Sequence, residues 1–229
     1  MKLHVILIAI TLLAFPVVSS RAHTISWGGV TEGELFTSYG TTLDDSFVFE
    51  LGTFGSFVPT MFNRTDWASN WKTFDRAVAG DGWDSTNQYF SSEATLDEFG
   101  HSDSPYSGSN LFNPGERAYI WVYNSQQFHQ GSEWALISGL GTGGSSSTTW
   151  LMPAAGDQSA LPYDWRVNTA AEDETVIGGL NGDRGPGDYT AEPPSYDIQT
   201  AAVPEPTAVL MLGCALAMRS LRRRRRTGR

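Results

Sequence analysis

Apolar positions along this 229-residue chain fall into three regimes. Residues 3–15 form a nearly unbroken apolar run, and residues 207–218 form a second one rich in small side chains. Between them, apolar residues come in short clusters separated by Gly, Pro, Ser, Asn and Asp. Gly or Pro interrupts almost every central stretch longer than about ten residues, which argues against long amphipathic helices. Strand patterns are frequent instead. Residues 46–51 are β-branched and aromatic and lie between Asp44-Asp45 and Gly52. Residues 117–123 give the clearest strand and end at Asn124-Ser125, 133–137 follow Gly131, and 148–152 stop at Pro153. A short strand is expected at 175–177. Residues 67–78 are compatible with one or two helical turns, and 94–99 also depart from the strand pattern. The expected class is all-β, a β-sandwich or jelly-roll-like body, with an N-terminal signal helix and a short C-terminal membrane helix.

The first apolar run has the grammar of a secretory signal peptide. Met1 and Lys2 supply a positive start, and Pro16 precedes the small-residue stretch Ser19-Ser20-Arg21-Ala22. Ser20 and Ala22 then stand at −3 and −1 of a cleavage between Ala22 and His23. At ~1.5 Å per residue the run reaches only ~20 Å, short of a ~30 Å hydrocarbon core, so removal is expected rather than anchoring.

The second run is fenced on both sides. Val203 leads into Pro204, Glu205 and Pro206, the apolar residues follow, and Arg219, Ser220 and Leu221 precede Arg222, Arg223, Arg224, Arg225 and Arg226. Two prolines keep the polypeptide extended, and Glu205 between them resists burial, so this point belongs at or above the headgroups. Twelve helical residues give ~18 Å, a marginal span even with snorkelling arginines. The Arg cluster reads as a stop-transfer device held on the cytoplasmic side. The order of the three elements resembles the PEP-CTERM sorting domain over about residues 203–226. That resemblance implies recognition by an exosortase-type membrane protease, a transient membrane hold through 207–221, and delivery among exopolysaccharide producers. A second likeness to other PEP-CTERM proteins covers Phe49-Glu50-Leu51-Gly52-Thr53-Phe54, Phe57-Val58-Pro59-Thr60, Asn63, Trp67 and Trp71, and implies a shared β-scaffold rather than an activity. Trp67 and Trp71, four apart, are expected to pack on one face against the sheet.

Charge divides along the same boundaries. Nine of the 15 basic residues sit in the two end segments, so positions 23–206 hold six against all 25 acids, a net −19. Such a body repels nucleic acid, which excludes it as a partner, and attracts cations or stays soluble. The single cysteine, Cys214, lies in the second apolar run, so the body contains no internal disulfide. The expected organisation is a signal peptide at 1–22, an acidic β-rich extracytoplasmic domain at 23–182, a linker or stalk at 183–203, and the sorting tail at 204–229.

Candidate chemistry in the body is sparse. Asn181, Asp183 and Asp188 place oxygen ligands on a Gly-rich loop, as Ca²⁺ accepts, but without the EF-hand order. No other cofactor is implied. Asp81 to Asp84 and Glu172 to Glu174 are further acidic loops. His101 and His129 lack a second His at ligand spacing. No Gly-x-Ser-x-Gly elbow occurs, and with 25 acids no carboxylate pair stands out. Trp83, Tyr89, Tyr106 and Trp165 sit in polar context and could stack on sugar rings, against a default role in packing. Asn63-Arg64-Thr65 matches a glycosylation sequon by chance. The expectation is an exported, exosortase-sorted surface or extracellular-matrix protein, non-catalytic and associated with exopolysaccharide. Its partners are the export machinery, signal peptidase, the sorting protease, transiently the membrane, and extracellular polysaccharide. The alternatives are a carbohydrate-binding module, with or without Ca²⁺, and a secreted hydrolase.

Overall fold

A computed structural model of the chain describes residues 22–139, 150–154, 163–169 and 175–204. The expected signal helix and the tail from Glu205 onward, with its Arg cluster, lie outside the described residues. Among the described residues no helix is long and apolar enough to cross a membrane.

The described chain is all-β. In order, the strands are β1 (His23–Gly28), β2 (Leu35–Phe36), β3 (Val48–Thr53), β4 (Lys72–Ala79), β5 (Gly82–Asp84), β6 (Tyr89–Leu96), β7 (Ala118–Tyr123), β8 (Glu133–Ile137), β9 (Tyr163–Arg166), β10 (Gly179–Leu180), β11 (Asp183–Arg184), β12 (Ile198–Gln199) and β13 (Ala201–Ala202), with a short helix α1 (Trp67–Asn70) before β4. Nine of them form one sheet in the order β13-β8-β7-β3-β4-β5-β6-β1-β9, and β11-β10-β12-β2 form a smaller one. The sheet curls, and most of its pairs are antiparallel; β1 with β9 and β4 with β5 are parallel.

The central strands are buried on both faces, with Glu50 and Glu133 their charged members, which explains why their sequences read as nearly continuous runs rather than alternating ones. Phe49 and Leu51 of β3, Ile120 and Val122 of β7, and Ala135 and Ile137 of β8 enter one buried cluster together with Ile25, Trp27, Phe74 and Phe90. The intervening residues Tyr119, Trp121, Tyr123, Trp134 and Leu136 enter a second cluster with Phe54, Trp67, Ala201 and Val203. That second cluster is built from rings: Trp67 stacks on Trp134 at 5.5 Å, and Trp121 meets Trp134 edge-on at 5.2 Å. Offset and edge-on arrangements of this kind add to area burial because ring quadrupoles are complementary.

Several expectations require correction. Residues 67–78 are helical only through Asn70. Trp71 is already extended, with ψ of 133°, and β4 begins one residue later. Both Trp67 and Trp71 nonetheless pack on Trp121, at 6.0 and 5.5 Å. Residues 94–96 complete β6, which pairs with β1 from Ser91 to Leu96. The segment 183–203, expected as a stalk, is part of the body. It carries β11, β12 and β13, and Tyr196, Ile198, Gln199, Thr200, Ala201 and Val203 are buried. Its Pro, Gly and Asp content supplies turns between very short strands rather than a free linker.

Two backbone features shape this scaffold. The β3:β4 register shifts between Leu51 and Gly52, where a side chain at position 52 would collide with the Lys72 carbonyl and come within 2.6 Å of the Trp71 ring. Asn181 and Gly182 both have positive φ, 49° and 85°, and close the β10-β11 hairpin. Two left-handed residues in a two-residue loop are what a type I′ turn requires, and Asn-Gly supplies them at least steric cost.

Candidate functional site

Carboxylates are the chemistry this body has most of, and the structure engages several of them in the scaffold. Glu50 projects from β3 into the tryptophan face and is fully buried. It accepts hydrogen bonds from Trp71 Nε1 at 2.6 Å, Arg76 Nε at 2.7 Å, Gln126 Nε2 at 3.1 Å and Thr73 Oγ1 at 3.3 Å. Arg76 Nη2 closes the ion pair at 2.5 Å. Burial would lower the Arg76 guanidinium, but Glu50 and the nearby Tyr123 and Tyr106 outweigh it and raise it above its usual value. Burial, reinforced by Glu50, pushes the Tyr123 hydroxyl far above its ordinary range. Asp75, on the opposite face of the sheet, accepts from Trp27 Nε1 at 2.8 Å and Ser104 Oγ at 2.7 Å. Burial would raise Glu116, but donors on Lys72, Asn113 and Thr53 hold it below the usual carboxylate range. A buried carboxylate with its lone pairs filled by structural donors is a brace, not a reagent with access to substrate.

The two tryptophans considered as sugar platforms take the default packing role instead. Trp83 is buried against Phe49 with ring centroids 4.8 Å apart, and Trp165 is fully buried beside Trp150. Tyr106 is half-exposed, but its ring covers Arg76 at 5.0 Å and its hydroxyl donates to Asp81 Oδ2 at 2.8 Å, a bond that raises its pKa. Of the four, Tyr89 and one edge of the otherwise buried Trp83 line open space. They border a shallow cleft of about 700 Å³ with Asp45, Asp84, Ser85, Thr86 and Ser91. Within that cleft Ser85 Oγ donates to Asp45, while Asp84 accepts from the Thr86 and Asn87 backbones and from Asn87 Nδ2. The Asn87 bonds hold Asp84 below its ordinary pKa.

The three residues considered for Ca²⁺ are not brought together as a ligand set. Asn181 is the first turn residue of the β10-β11 hairpin, and its Nδ2 donates to the Val167 carbonyl at 3.3 Å. Asp183 faces solvent on β11. Asp188 forms a bridge to Ala202 and lies within electrostatic reach of Arg64, whose guanidinium burial lowers and Asp188 partly restores. Among the described residues no group of three His, Cys, Asp or Glu side chains is close enough to hold a metal ion. His101 and His129 are exposed, and their Nδ1 atoms lie at 3.2 and 3.0 Å from the carbonyls of Asn110 and Gln130.

The last described residues, which form the exit toward the expected sorting tail, are tied to the body by several contacts. Glu133, buried at the start of β8, accepts from the Ser38 amide at 3.0 Å, Ser38 Oγ at 2.5 Å and Thr200 Oγ1 at 2.7 Å. One carboxylate thus ties residue 200 to an N-terminal loop and to β8, the strand next to the edge of the large sheet. The Val203 amide donates to the Ser132 carbonyl at 2.8 Å, so hydrogen bonding persists to the residue before Pro204. A groove of about 360 Å³ runs beside this exit, lined by Tyr39, Gln130, Gly131, Asp188, Val203 and Pro204 among others. Pro204 is the one member of the expected sorting motif within the described residues. At the other expected processing point, His23 already belongs to β1, opposite Leu96.

Comparison with family models, with curated proteins and with solved structures finds no match to this chain. The exit is therefore defined by its own geometry. Glu133 and Ser38 were not legible in the sequence, because their contact joins residues 95 apart. Asn63, read as a chance sequon, instead ties the loop before α1 together. Its Oδ1 accepts from the Thr60 amide at 2.7 Å and Trp67 Nε1 at 3.0 Å, and its Nδ2 donates to the Val58 carbonyl at 2.9 Å. Asn followed within four residues by Trp is too common a pattern to have signalled it.

Proposed function

We propose that the protein is an exported precursor, cleaved between Ala22 and His23 and sorted through residues 204–229 to the cell surface or extracellular matrix, where its body acts without catalysis in association with exopolysaccharide. The observation that carries this reading is the absence of any spacer between the two functional parts. Among the described residues Val203 is the last that is hydrogen-bonded, and Pro204, Glu205 and Pro206 come next in the sequence, then the apolar run and the arginines. Two prolines disfavour helix, so a protease acting at them could release the body without cutting into its last strand, β13. The structural engagement of Glu50, Asp75, Glu116 and Glu133 supports a scaffold over a hydrolase. We further read the two apolar clusters, on opposite faces of the central strands, as a sandwich-like or jelly-roll-like arrangement in which loops and the smaller sheet cover a curled main sheet.

The test replaces Pro204-Glu205-Pro206 with alanines in the producing cell. The variant should accumulate in the membrane fraction while the native protein reaches the surface or medium with a new C-terminus detectable by mass spectrometry. Delivery of the variant at the native rate would refute the sorting assignment. One observation favours a second reading: the cleft bordered by Tyr89, Asp45 and Asp84 presents a half-exposed ring beside carboxylates, as a carbohydrate-binding module does. A glycan array probed with and without Ca²⁺ decides it, and no signal in either condition removes it.

A further inference from the structure

Val203, next to Pro204, belongs to the same tryptophan cluster that an apolar tip covers. Residues 54–71 fold over the tryptophan cluster, to which Phe54, Phe57, Trp67 and Trp71 contribute and which also contains Val203. At the crest of this cover Phe62 is 100% exposed and Val58 is 70% exposed. Two residues on, Arg64 lies within reach of Asp188, which bridges Ala202 and lines the exit groove. Tyr39, 63% exposed, lines the same groove with Pro204. The tip is not a loose loop. The three Asn63 side-chain bonds described above, and the Phe62 amide donating to Thr60 Oγ1 at 3.3 Å, set its backbone. A preset loop that holds a phenylalanine fully in water forgoes burial that a small rearrangement would supply, which marks a contact surface.

We propose that Val58, Phe62 and Tyr39 seat the body on the outer surface of the lipid bilayer that its own tail enters. The inference rests on the sorting reading above and deepens it. Its occupant is fixed by chain length: from Pro204 to Thr207, where the apolar run begins, three residues span at most ~10 Å. Whichever side of the body the chain leaves must therefore lie against the membrane holding residues 207–221, and Tyr39 beside Pro204 and the tip residues Val58 and Phe62 are exposed, while Phe99 and Leu111, also exposed, line a separate pocket with His23. Tyr39 is the residue type that favours the headgroup level. A body of net −19 gains nothing from anionic lipid, so the contact is apolar and zwitterionic lipid suffices. The seated body would present Pro204, Glu205 and Pro206 at the depth of a membrane-embedded protease.

The full chain supplies its own control, because its single cysteine, Cys214, lies in the apolar run. The native chain labelled at Cys214 with an environment-sensitive fluorophore, and Phe62→Cys or Val58→Cys labelled in a Cys214→Ser background, are reconstituted into phosphatidylcholine vesicles carrying doxyl-labelled lipid. The probes at 62 and 58 should shift to the blue and lose about half their emission to shallow doxyl groups, as suits a depth of about 5–10 Å, while the Cys214 probe is quenched by deep ones. Quenching at 214 with fully aqueous emission at both 62 and 58 overturns the seating and leaves the tail assignment standing. Aqueous emission at 214 overturns the tail assignment and the seating with it.

Discussion

Removing the charge of Glu50 tests whether the body is braced as described. Glu50→Gln preserves shape but turns one acceptor into an NH₂ donor facing groups that themselves donate, Trp71 Nε1, Thr73 Oγ1, Gln126 Nε2 and the Arg76 guanidinium. Breaking a buried pair by neutralising one partner costs ~3–5 kcal/mol when the remaining charge is trapped away from water. Here the charge left behind is Arg76, whose side chain is 33% exposed and regains hydration, so the loss should be smaller, ~2–4 kcal/mol. Arg76→Met leaves the opposite imbalance, a fully buried carboxylate held only by neutral donors, and should cost the full ~3–5 kcal/mol. The double variant should be less damaging than the sum of the two, with a coupling of ~1–3 kcal/mol. For a body of this size each kcal/mol lowers Tm by about 2–4 °C. The assay is urea unfolding of the segment from His23 to Pro204, followed by tryptophan emission, with calorimetry in parallel. Losses that simply add, or a Glu50→Gln variant within ~0.5 kcal/mol of the native body, would refute the claim that this pair braces the tryptophan face.

Three further outcomes follow from other contacts. Glu116 is held below its ordinary carboxylate value of 4.5, so its contribution to stability is complete above that pH and is lost as pH falls through the depressed folded value; Glu116→Gln should flatten the acid limb of a stability profile and leave its neutral plateau lower. Gly52→Ala forces a methyl against the Lys72 carbonyl and the Trp71 ring at the β3:β4 irregularity, with an expected loss of ~1–3 kcal/mol in the urea midpoint; an unchanged midpoint would mean the strands shift freely there. Glu133→Gln removes the tie between Ser38 and Thr200, so amide exchange over residues 198–203 should accelerate selectively, while β3 and β7 keep native protection.

Strands β3, β7 and β8 were legible because they are buried on both faces, and sustained β-branched and aromatic runs leave little alternative. β4 and β6 were obscured by local signals that tertiary packing overrides. Trp67 and Trp71 at helical spacing suggested a longer helix, yet the tryptophan cluster needs only one turn before the chain extends alongside β3. Asn181-Gly182 carried the strongest short-range hairpin signal in the chain, but acidic neighbours drew it into a calcium reading. The C-terminal segment was misread for a different reason. β12 and β13 are two residues each, too short for periodicity to register, and although β12 also pairs with the nearby β10, its parallel partner β2 and the β8 partner of β13 are more than 60 residues away. The bracing of the exit was invisible for the same cause: nothing near Glu133 in sequence announces Ser38 or Thr200.

The parallel pairing of β2 with β12 joins residues 35–36 to residues 198–199. A ribosome makes the first of these strands long before the second, so the small sheet stays incomplete until almost the entire body has emerged. Loop closure across such a separation is slow, and topologies rich in distant pairings fold on millisecond-to-second scales rather than microseconds. The nascent polypeptide is consequently a poor folder until its final strands arrive, a kinetic delay that keeps it threadable for as long as it is still being made.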